Sequence, residues 1–244
     1  MKNITKEEMN IKEFFEKYPN VAIALSGGVD SVFLVYMAKK YAKSVKAYFV
    51  KSVFQPEFDG QIITYPIASR EEVKDAEKIC RQLGVDLKIL NVDVLSNKLV
   101  TDNPVNRCYY CKQGVFGTIL EAAKNDGMTV ILDGTNASDD AGDRPGMKAL
   151  QEMKVLSPLR MCGYVKSEIR KQSKEAGLFV YNKPSYACLA TRIPTGTEID
   201  EEKIRREMEI CLDAGADGIS VGGSTGEGPT LRDEELTQLI KIAR

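Results

Sequence analysis

The chain has 244 residues, of which 34 are lysine or arginine and 35 are aspartate or glutamate, so its formal net charge is −1. This near-neutral balance gives no overall electrostatic support for nucleic-acid binding. The chain contains no histidine, which excludes any mechanism with a histidine base and any metal site with imidazole ligands. Its length suffices for one large domain, or for one domain with an appendage.

The hydropathy of the chain gives no sign of a membrane protein. No apolar run approaches the length needed to cross a bilayer, and the N-terminal residues lack the apolar core of a signal peptide. We therefore expect a cytoplasmic protein with no membrane partner. In a reducing compartment, structural disulfides are an uncommon use of cysteine, and the chain has six cysteines, at positions 80, 108, 111, 162, 188 and 211.

Strand and helix patterns alternate along the chain between residues 21 and 177. Short apolar runs predict strands at 21–25, 45–50, 87–92 and 130–132, with a weaker fifth strand or extended segment at 154–159. Helical spacing predicts helices at 4–17, 31–41, 69–84, 108–125 and 166–176, while residues 55–69 predict a loop. Such alternation is typical of a doubly wound α/β fold whose mostly parallel, five-stranded sheet is covered on both faces.

The first predicted strand leads into the turn Ser26-Gly-Gly-Val-Asp-Ser31, and a helix follows. Glycines let the backbone approach a ligand closely, and a helix N-terminus presents unpaired N–H groups with a partial positive charge. The segment therefore predicts a phosphate-binding turn. It is neither a Walker A loop, which ends in Gly-Lys-Ser/Thr, nor the G-x-G-x-x-G fingerprint of dinucleotide-binding folds.

A second polar segment, Asp133-Gly-Thr-Asn-Ala-Ser-Asp-Asp140, follows the predicted strand at 130–132. Ligands bind outside the carboxyl ends of the strands in open α/β sheets. We therefore expect this loop to contact a ligand.

Cys108 and Cys111 form a C-x-x-C pair, which by itself fits a redox pair, half of a zinc site or half of a cluster site. A zinc site usually takes four cysteine or histidine ligands. Cys188 supplies a third thiol from a distant loop, and three thiolates suit a [4Fe–4S] cluster with one iron left open. We expect the other three cysteines, at positions 80, 162 and 211, to serve as small apolar residues without a role in chemistry.

Taken together, these motifs identify a resemblance to the LarE-type ATP-dependent sulfur transferases, a branch of the PP-loop ATPases. The matching segments, which run in the family's order from about residue 21 to about residue 206, are Ser26–Ser31, Asn106–Lys112, Asp133–Asp139, Asp143–Gly146, Ser157–Arg160 and Lys183–Pro194. The resemblance implies the adenine-nucleotide alpha-hydrolase type of fold. It also implies thiolation of a nicotinate-derived pyridinium mononucleotide during synthesis of a nickel-pincer cofactor.

The resemblance implies a two-step reaction. ATP first adenylylates a pyridinium carboxylate, and sulfur then displaces AMP to give a thiocarboxylate. In one branch of the family a single cysteine gives up its own sulfur, and Cys188 matches that position. Another branch uses three cysteines to hold a [4Fe–4S] cluster, with sulfide or another sulfur donor as partner. Because Cys108 and Cys111 are present as well, the chain resembles the cluster branch.

The same resemblance, with the chemistry of each side chain, gives a set of candidate site residues. The candidates for binding the pyrophosphate of ATP are Ser26, Gly27, Gly28, Asp30 and Ser31, with Asp30 also a candidate ligand of Mg²⁺. Candidates for contact with the adenylate or the metal are Gly134, Thr135 and Asp139. Candidates for stabilising phosphate or acyl-oxyanion charge are Lys112, Arg144 and Arg192. Cys188, Asp30, Arg192 and Lys112 form the predicted catalytic set.

The C-terminal part departs from the family. From about Cys211 the chain resembles an early βα unit of the dihydrodipicolinate-synthase and N-acetylneuraminate-lyase aldolases. A (β/α)₈ barrel needs about 250 residues, so this fragment cannot form an aldolase. We expect a PP-loop ATPase domain at 1–197 and a short α/β appendage at 198–244, with a strand at 219–221 and a helix at 233–243. Homo-oligomer formation is a further expectation.

Three other functions fit parts of the sequence. A PP-loop tRNA thiolase uses the same chemistry and a similar cysteine triplet, although the near-neutral charge argues against an RNA partner. An ATP-dependent amide-forming ligase would share the phosphate turn but has no use for the three cysteines. A non-catalytic nucleotide-binding or iron–sulfur protein would fit if the aldolase-like tail had replaced a substrate-binding domain.

Overall fold

A computed structural model describes residues 9–52, 68–139, 145–183 and 188–213. Strands β1 (Asn20–Ala24), β2 (Ser44–Lys51), β3 (Asp86–Asn91) and β4 (Val130–Leu132) form one sheet in the order β3-β2-β1-β4. All three strand pairings are parallel, with Val21 opposite Val45 on one side and opposite Val130 on the other. The predicted α/β class with a mostly parallel sheet is thus confirmed.

The helices lie between and after these strands. They are α1 (Ile11–Lys17), α2 (Val29–Tyr41), α3 (Ala68–Leu83), α4 (Lys98–Thr101), α5 (Arg107–Asn125), α6 (Pro145–Glu152), α7 (Pro158–Met161), α8 (Lys166–Glu175) and α9 (Glu201–Asp213), with 3₁₀ turns at Phe179–Asn182 and Leu189–Arg192. None of the helices in the described ranges is long and apolar enough to span a membrane.

Alternating strand residues supply two hydrophobic cores, one on each face of the sheet. Val21, Ile23 and Phe49 point into the core that contains α1, α2 and α8. Tyr48 and Ile131 point to the other face, where Phe116, Ile119 and Leu150 cover the sheet. Because side chains alternate across a strand, β1, β2 and β4 bury apolar residues on both faces of the sheet, which is typical of a buried parallel sheet.

A third, smaller core joins the C-terminal part of the described chain to the segment before α5. Its buried members are Val94, Val100, Ala190, Ile193, Ile199 and Ile204. The backbone follows the same path, since the Ile199 amide donates to the Thr101 carbonyl oxygen at 2.7 Å. Residues 189–204 therefore pack directly on the α4–α5 region.

Several predicted elements differ in detail. Helix α1 begins at Ile11 because the Asn10 side chain accepts a hydrogen bond from the Glu13 amide at 3.0 Å and caps the helix. In place of a fifth strand, Leu156 forms a single parallel bridge with Leu132. Helix α6, which starts at Pro145, was not among the predicted helices. The predicted loop at 55–69, except its last two residues in α3, and the elements at 219–221 and 233–243 lie outside the described residues.

Candidate active site

The turn between β1 and α2 has the backbone geometry of an anion site. Gly27 adopts a left-handed conformation with φ 76°, and Gly28 stands in extended conformation just before the helix. The Ser31 hydroxyl donates to the Gly28 carbonyl oxygen at 3.1 Å and accepts a hydrogen bond from the Ser26 amide at 3.2 Å. These bonds fix the turn, and the first N–H groups of α2 have no carbonyl partner within the helix. The turn can thus receive a phosphate group.

Asp30, in the first turn of α2, is held from one side only. Its Oδ2 atom accepts a hydrogen bond from the Lys166 ammonium at the start of α8. Its Oδ1 atom is buried and has no hydrogen-bond partner among the described residues. Burial raises the pKa of the Asp30 carboxyl, and contact with Lys166 opposes this shift only in part. A buried carboxylate oxygen without a donor fits the oxygen ligands that Mg²⁺ prefers.

The loop after β4 packs against this turn. A β-carbon added at Gly134 would lie 2.8 Å from the Ser31 nitrogen, so only glycine allows the two segments to approach this closely. The buried Asp133 carboxylate accepts hydrogen bonds from the hydroxyls of Thr135 and Ser157. Asp139 accepts a hydrogen bond from the Asn136 amide at 3.0 Å through Oδ2. The side chains of Thr135 and Asp139 therefore shape the loop itself, and their predicted contact with the adenylate or a metal stays a prediction.

Two lysines that sequence reasoning missed flank the turn. Lys166 reaches Asp30, as described above, while its own backbone amide donates to the Ser138 hydroxyl at 2.9 Å. Lys183 donates to the Asp75 carboxylate at 2.7 Å and to the Gly27 carbonyl oxygen at 3.4 Å. Lys183 thus links the turn to α3. Neither contact has a local sequence signal, because each joins residues more than 100 positions apart.

The three cysteines singled out in the sequence come near one another at a second place. Cys108 and Cys111 lie in the first turns of α5, and Cys188 directly precedes the 3₁₀ turn Leu189–Arg192. Burial raises the pKa of Cys111 to about 12, and the neighbouring Cys188 and Cys108 add to that rise. The thiols are therefore within electrostatic range of one another. Within the described ranges, however, no group of three cysteine or acidic side chains has the arrangement of a metal site.

Asn103 and Arg107 connect the two cysteine-bearing segments. Asn103 is fully buried, has a left-handed backbone with φ 50°, and donates from its side-chain amide to the carbonyl oxygens of Ile193 and Pro194 at 3.2 and 2.9 Å. Arg107 donates from Nη1 to Asn103 Oδ1 at 2.5 Å and to the Ala190 carbonyl oxygen at 2.7 Å. No sequence motif pointed to Asn103, and Arg107 was named only as part of the segment Asn106–Lys112.

The remaining predicted charged residues are dispersed. The Lys112 side chain runs across Gly146, where an added β-carbon would lie 3.0 Å from Lys112 Cδ. Arg192 is half-buried, and its Nε atom has no hydrogen-bond partner in the parts of the chain that are described. Arg144 lies outside the described residues. The structure thus brings the glycine turn and the loop after β4 together, and it places the three thiols in a separate group.

Two family models match the chain. The model described as "tRNA methyl transferase HUP domain" matches residues 19–135, which include the glycine turn, the C-x-x-C pair and β4. The model of the dihydrodipicolinate synthetase family matches residues 183–244. This second match confirms the aldolase-like character of the tail, and it begins earlier than the sequence motifs predicted.

Two relatives cover most of the chain. An uncharacterized protein of Synechocystis sp. is 32% identical over 205 residues, which are 83% of this chain and 72% of that protein. The pyridinium-3,5-bisthiocarboxylic acid mononucleotide synthase of Lactiplantibacillus plantarum is 26% identical over 188 residues, covering 77% of this chain and 64% of the synthase. This chain therefore spans slightly less than two thirds of the synthase.

A solved structure supports the fold. The U34-tRNA thiolase NcsA from Methanococcus maripaludis, with its [4Fe-4S] cluster, matches with a TM-score of 0.52 and 18% sequence identity, covering 95% of this chain and 78% of that one. At this identity the likeness concerns the fold alone. It agrees with the mostly parallel α/β sheet described above.

Proposed function

The chain belongs to the PP-loop ATPases and has a LarE-type synthase among its relatives, and from this premise we propose that it is an AMP-forming, ATP-dependent sulfur transferase. Its substrate would be a pyridinium mononucleotide with a carboxylate, in keeping with the name of the Lactiplantibacillus relative. The observation that carries the proposal is the buried Oδ1 atom of Asp30 beside the glycine turn, without a donor among the described residues. A magnesium-bound polyphosphate would satisfy that oxygen and the free N–H groups of α2 together.

The first step activates the carboxylate. A carboxylate oxygen of the substrate attacks the α-phosphorus of ATP, the bond to the bridging oxygen of the β-phosphate breaks, and pyrophosphate leaves. The turn 26–31 would hold the leaving pyrophosphate. Lys166, whose ammonium donates to Asp30, would add a positive charge beside it. The acyl-adenylate that forms has AMP as a good leaving group. Arg192 and Lys112, together with Arg144, are proposed to stabilise charge on the phosphate or on the acyl oxyanion.

The second step delivers sulfur. In one route the Cys188 thiolate attacks the acyl carbon and AMP leaves, giving a thioester between substrate and protein. Cleavage of the Cβ–Sγ bond of Cys188, with loss of the α-proton, then leaves a thiocarboxylate product and dehydroalanine at position 188. This route consumes the protein, because each turnover removes the sulfur of Cys188.

In the other route the three thiols would hold a [4Fe–4S] cluster. Thiolates are the ordinary protein ligands of such clusters, and Cys108, Cys111 and Cys188 lie in electrostatic range of each other. The donor set therefore fits, although the described side chains would have to move closer together. A bound cluster would supply a sulfide as the nucleophile, and the cysteines would then survive turnover. We propose this cluster route, with an exogenous sulfur donor as partner.

The substrate assay decides the proposed function. Purified protein is incubated with ATP, Mg²⁺ and sulfide, and AMP is measured with pyridinium dicarboxylate mononucleotide, with tRNA, or with neither. We expect AMP and a thiocarboxylate only with the mononucleotide. The Asp30→Asn variant should release no AMP, whereas Lys12→Gln, which removes an exposed charge on α1, should behave as the unmodified chain. AMP release that needs tRNA would instead assign the alternative function of a tRNA thiolase.

A second experiment identifies the source of sulfur. Iron content, the visible absorption spectrum and the intact mass are recorded after anaerobic preparation and again after turnover, for the unmodified chain and for Cys188→Ala. The cluster route predicts iron in the unmodified chain, its loss in the variant, and an unchanged protein mass. Absence of iron together with loss of the mass of hydrogen sulfide from Cys188 would establish the sacrificial route instead.

A further inference from the structure

Arg107 carries a buried positive charge for which the described residues offer no negative partner. Only 9% of the residue is exposed, and within the described ranges no carboxylate lies at ion-pair distance from its guanidinium. The side chain of Asn103 and the carbonyl of Ala190 accept hydrogen bonds from it, and both are neutral. Arginine stays protonated at any physiological pH, so the charge is permanent.

A buried charge of this kind is costly. Hydrogen bonds to neutral groups replace only part of the hydration that a guanidinium loses on burial, and buried charges are ordinarily paired. If the residue served only to join Asn103 to Ala190, a neutral donor such as glutamine would meet the need. The positive charge of Arg107 therefore indicates that a negatively charged group binds next to its guanidinium.

The nearest candidate for that ligand is sulfur. The Nη2 atom of Arg107 lies 3.8 Å from Cys108 Sγ. The guanidinium also opposes the rise in pKa that desolvation causes at Cys188 and at Cys111, so its charge acts on these two thiols as well. Because Asn103 and Ala190 fix its position from both sides, the guanidinium is a preorganised charge between the two cysteine-bearing segments.

We propose that Arg107 is the binding group for anionic sulfur at the site formed by Cys108, Cys111 and Cys188. Its purpose rests on the proposed sulfur transfer, since either route places negative sulfur there, as a thiolate in one case and as a thiolate-bound cluster in the other. Arg107 then stabilises the negative charge that builds up on sulfur before it attacks the acyl carbon.

The test measures the local charge at each thiol without requiring any cofactor or turnover. The apo protein is alkylated with neutral iodoacetamide or with anionic iodoacetate, and the rate at each cysteine is followed by peptide mass spectrometry. The same thiolate attacks both reagents, so the ratio of the iodoacetate rate to the iodoacetamide rate reports the surrounding field rather than the degree of ionisation. At Cys108 and Cys188 this ratio should exceed that of glutathione and should fall as salt is added.

Three variants separate charge from hydrogen bonding. Arg107→Gln keeps donors for Asn103 and Ala190 but removes the charge, and it should lower the ratio at Cys108 and Cys188 by about fivefold. Arg107→Lys keeps the charge and should stay within about twofold of the unmodified chain. Lys39→Gln removes a lysine that also donates to a carbonyl oxygen, that of Gly84 at 2.7 Å, and should leave the ratio unchanged.

Several outcomes would overturn the assignment. If the ratio of the iodoacetate rate to the iodoacetamide rate in the unmodified chain is no higher than that of glutathione, the assignment is overturned, even if every variant fails to fold. An unchanged ratio in Arg107→Gln, or an equal fall in Arg107→Lys, would show that Arg107 serves only as a structural donor. The proposed function fails separately, in the AMP assay. If the alkylation ratio depends on the charge of Arg107 but no thiocarboxylate forms, the role of Arg107 stands and sulfur transfer is rejected. If thiocarboxylate forms but the ratio does not depend on that charge, only the role of Arg107 is rejected.

Discussion

Gly134 lies directly against the backbone of Ser31, and a β-carbon at position 134 would stand 2.8 Å from the Ser31 nitrogen. This contact joins the loop after β4 to the N-terminus of α2, so the shape of the phosphate-binding turn depends on a residue that follows a different strand. The neighbouring atoms are backbone and cannot move aside without shifting the helix.

Replacing Gly134 with alanine should therefore damage both stability and nucleotide binding. We expect a loss of about 1 to 3 kcal/mol in the free energy of unfolding, together with weaker ATP binding. Gly117→Ala is the matched control, because a β-carbon there meets no atom within 4 Å and helix α5 should gain about 0.5 to 1 kcal/mol. Urea titration and calorimetric ATP titration measure the two effects. Equal behaviour of the two variants would contradict the close packing.

The pairing of Lys166 with Asp30 gives a second prediction. Lys166→Met leaves the buried carboxylate without its donor and should reduce the free energy of unfolding by about 1 to 3 kcal/mol. Adding Asp30→Asn removes the charge that was left unpaired, so the double variant should be more stable than Lys166→Met alone. Chemical denaturation of the unmodified chain, Lys166→Met, Asp30→Asn and the double variant at neutral pH gives the coupling energy. A coupling energy near zero would mean that the contact contributes nothing to the fold.

Asp126 should make stability depend on pH below pH 4. Hydrogen bonds from Lys46 and Tyr48 lower the pKa of its carboxyl from the usual 3.8 to about 2, and the Tyr48 hydroxyl donates to it at 2.8 Å. A lowered pKa means that the carboxylate stabilises the fold fully above pH 4, and that this contribution is lost as the pH falls through 2.

The variant Asp126→Asn should thus be less stable than the unmodified chain at pH 7, and the difference should shrink between pH 4 and pH 2. Urea titrations at several pH values measure it. Asp86→Asn, which removes an exposed carboxylate at the start of β3, serves as the control. A difference that stays constant with pH would show that the packing around Tyr48 matters and that the charge of Asp126 does not.

Asn103 should be sensitive to substitution for two separable reasons, its left-handed backbone and its side-chain hydrogen bonds. Asn103→Ala removes the hydrogen bonds and places a strained residue in the left-handed backbone, so it should lower the free energy of unfolding by about 2 to 4 kcal/mol. Asn103→Gly removes the bonds without that strain, and its loss should be about 1 kcal/mol smaller. The exposed Asn106 provides the control, as Asn106→Ala. Unfolding free energies give the ranking, and an alanine variant as stable as the glycine variant would argue against backbone strain at this position.

Features encoded in contiguous residues could be predicted from the sequence. The glycine turn, the strand before it and the helix after it depend on residues that are neighbours in the chain, and apolar periodicity located β2, β3, α5 and α8 to within a few residues. Cys108 and Cys111 lie at the start of a helix, as their sequence context predicted.

The contacts that complete the site could not be predicted in this way. Lys166 and Lys183 lie in segments that look like ordinary charged surface, and their partners Asp30 and Asp75 are more than 100 residues away in sequence. Asn103 gave no signal either, because a left-handed asparagine inside a polar loop has no periodicity. Helix α6 was missed because residues 145–152 are preceded by a polar loop and contain an early glycine, and both features favour a turn.

The strand order also determines how the chain can fold while it is being synthesised. β1 lies between β2 and β4, and Val21 pairs with Val130, so one edge of β1 stays unpaired until the ribosome has released the chain beyond Leu132. At about 5 to 20 residues per second this interval lasts about 5 to 20 s. An unpaired apolar strand is a site of aggregation during that time, and synthesis at lower temperature, or with more chaperone available, should raise the soluble yield.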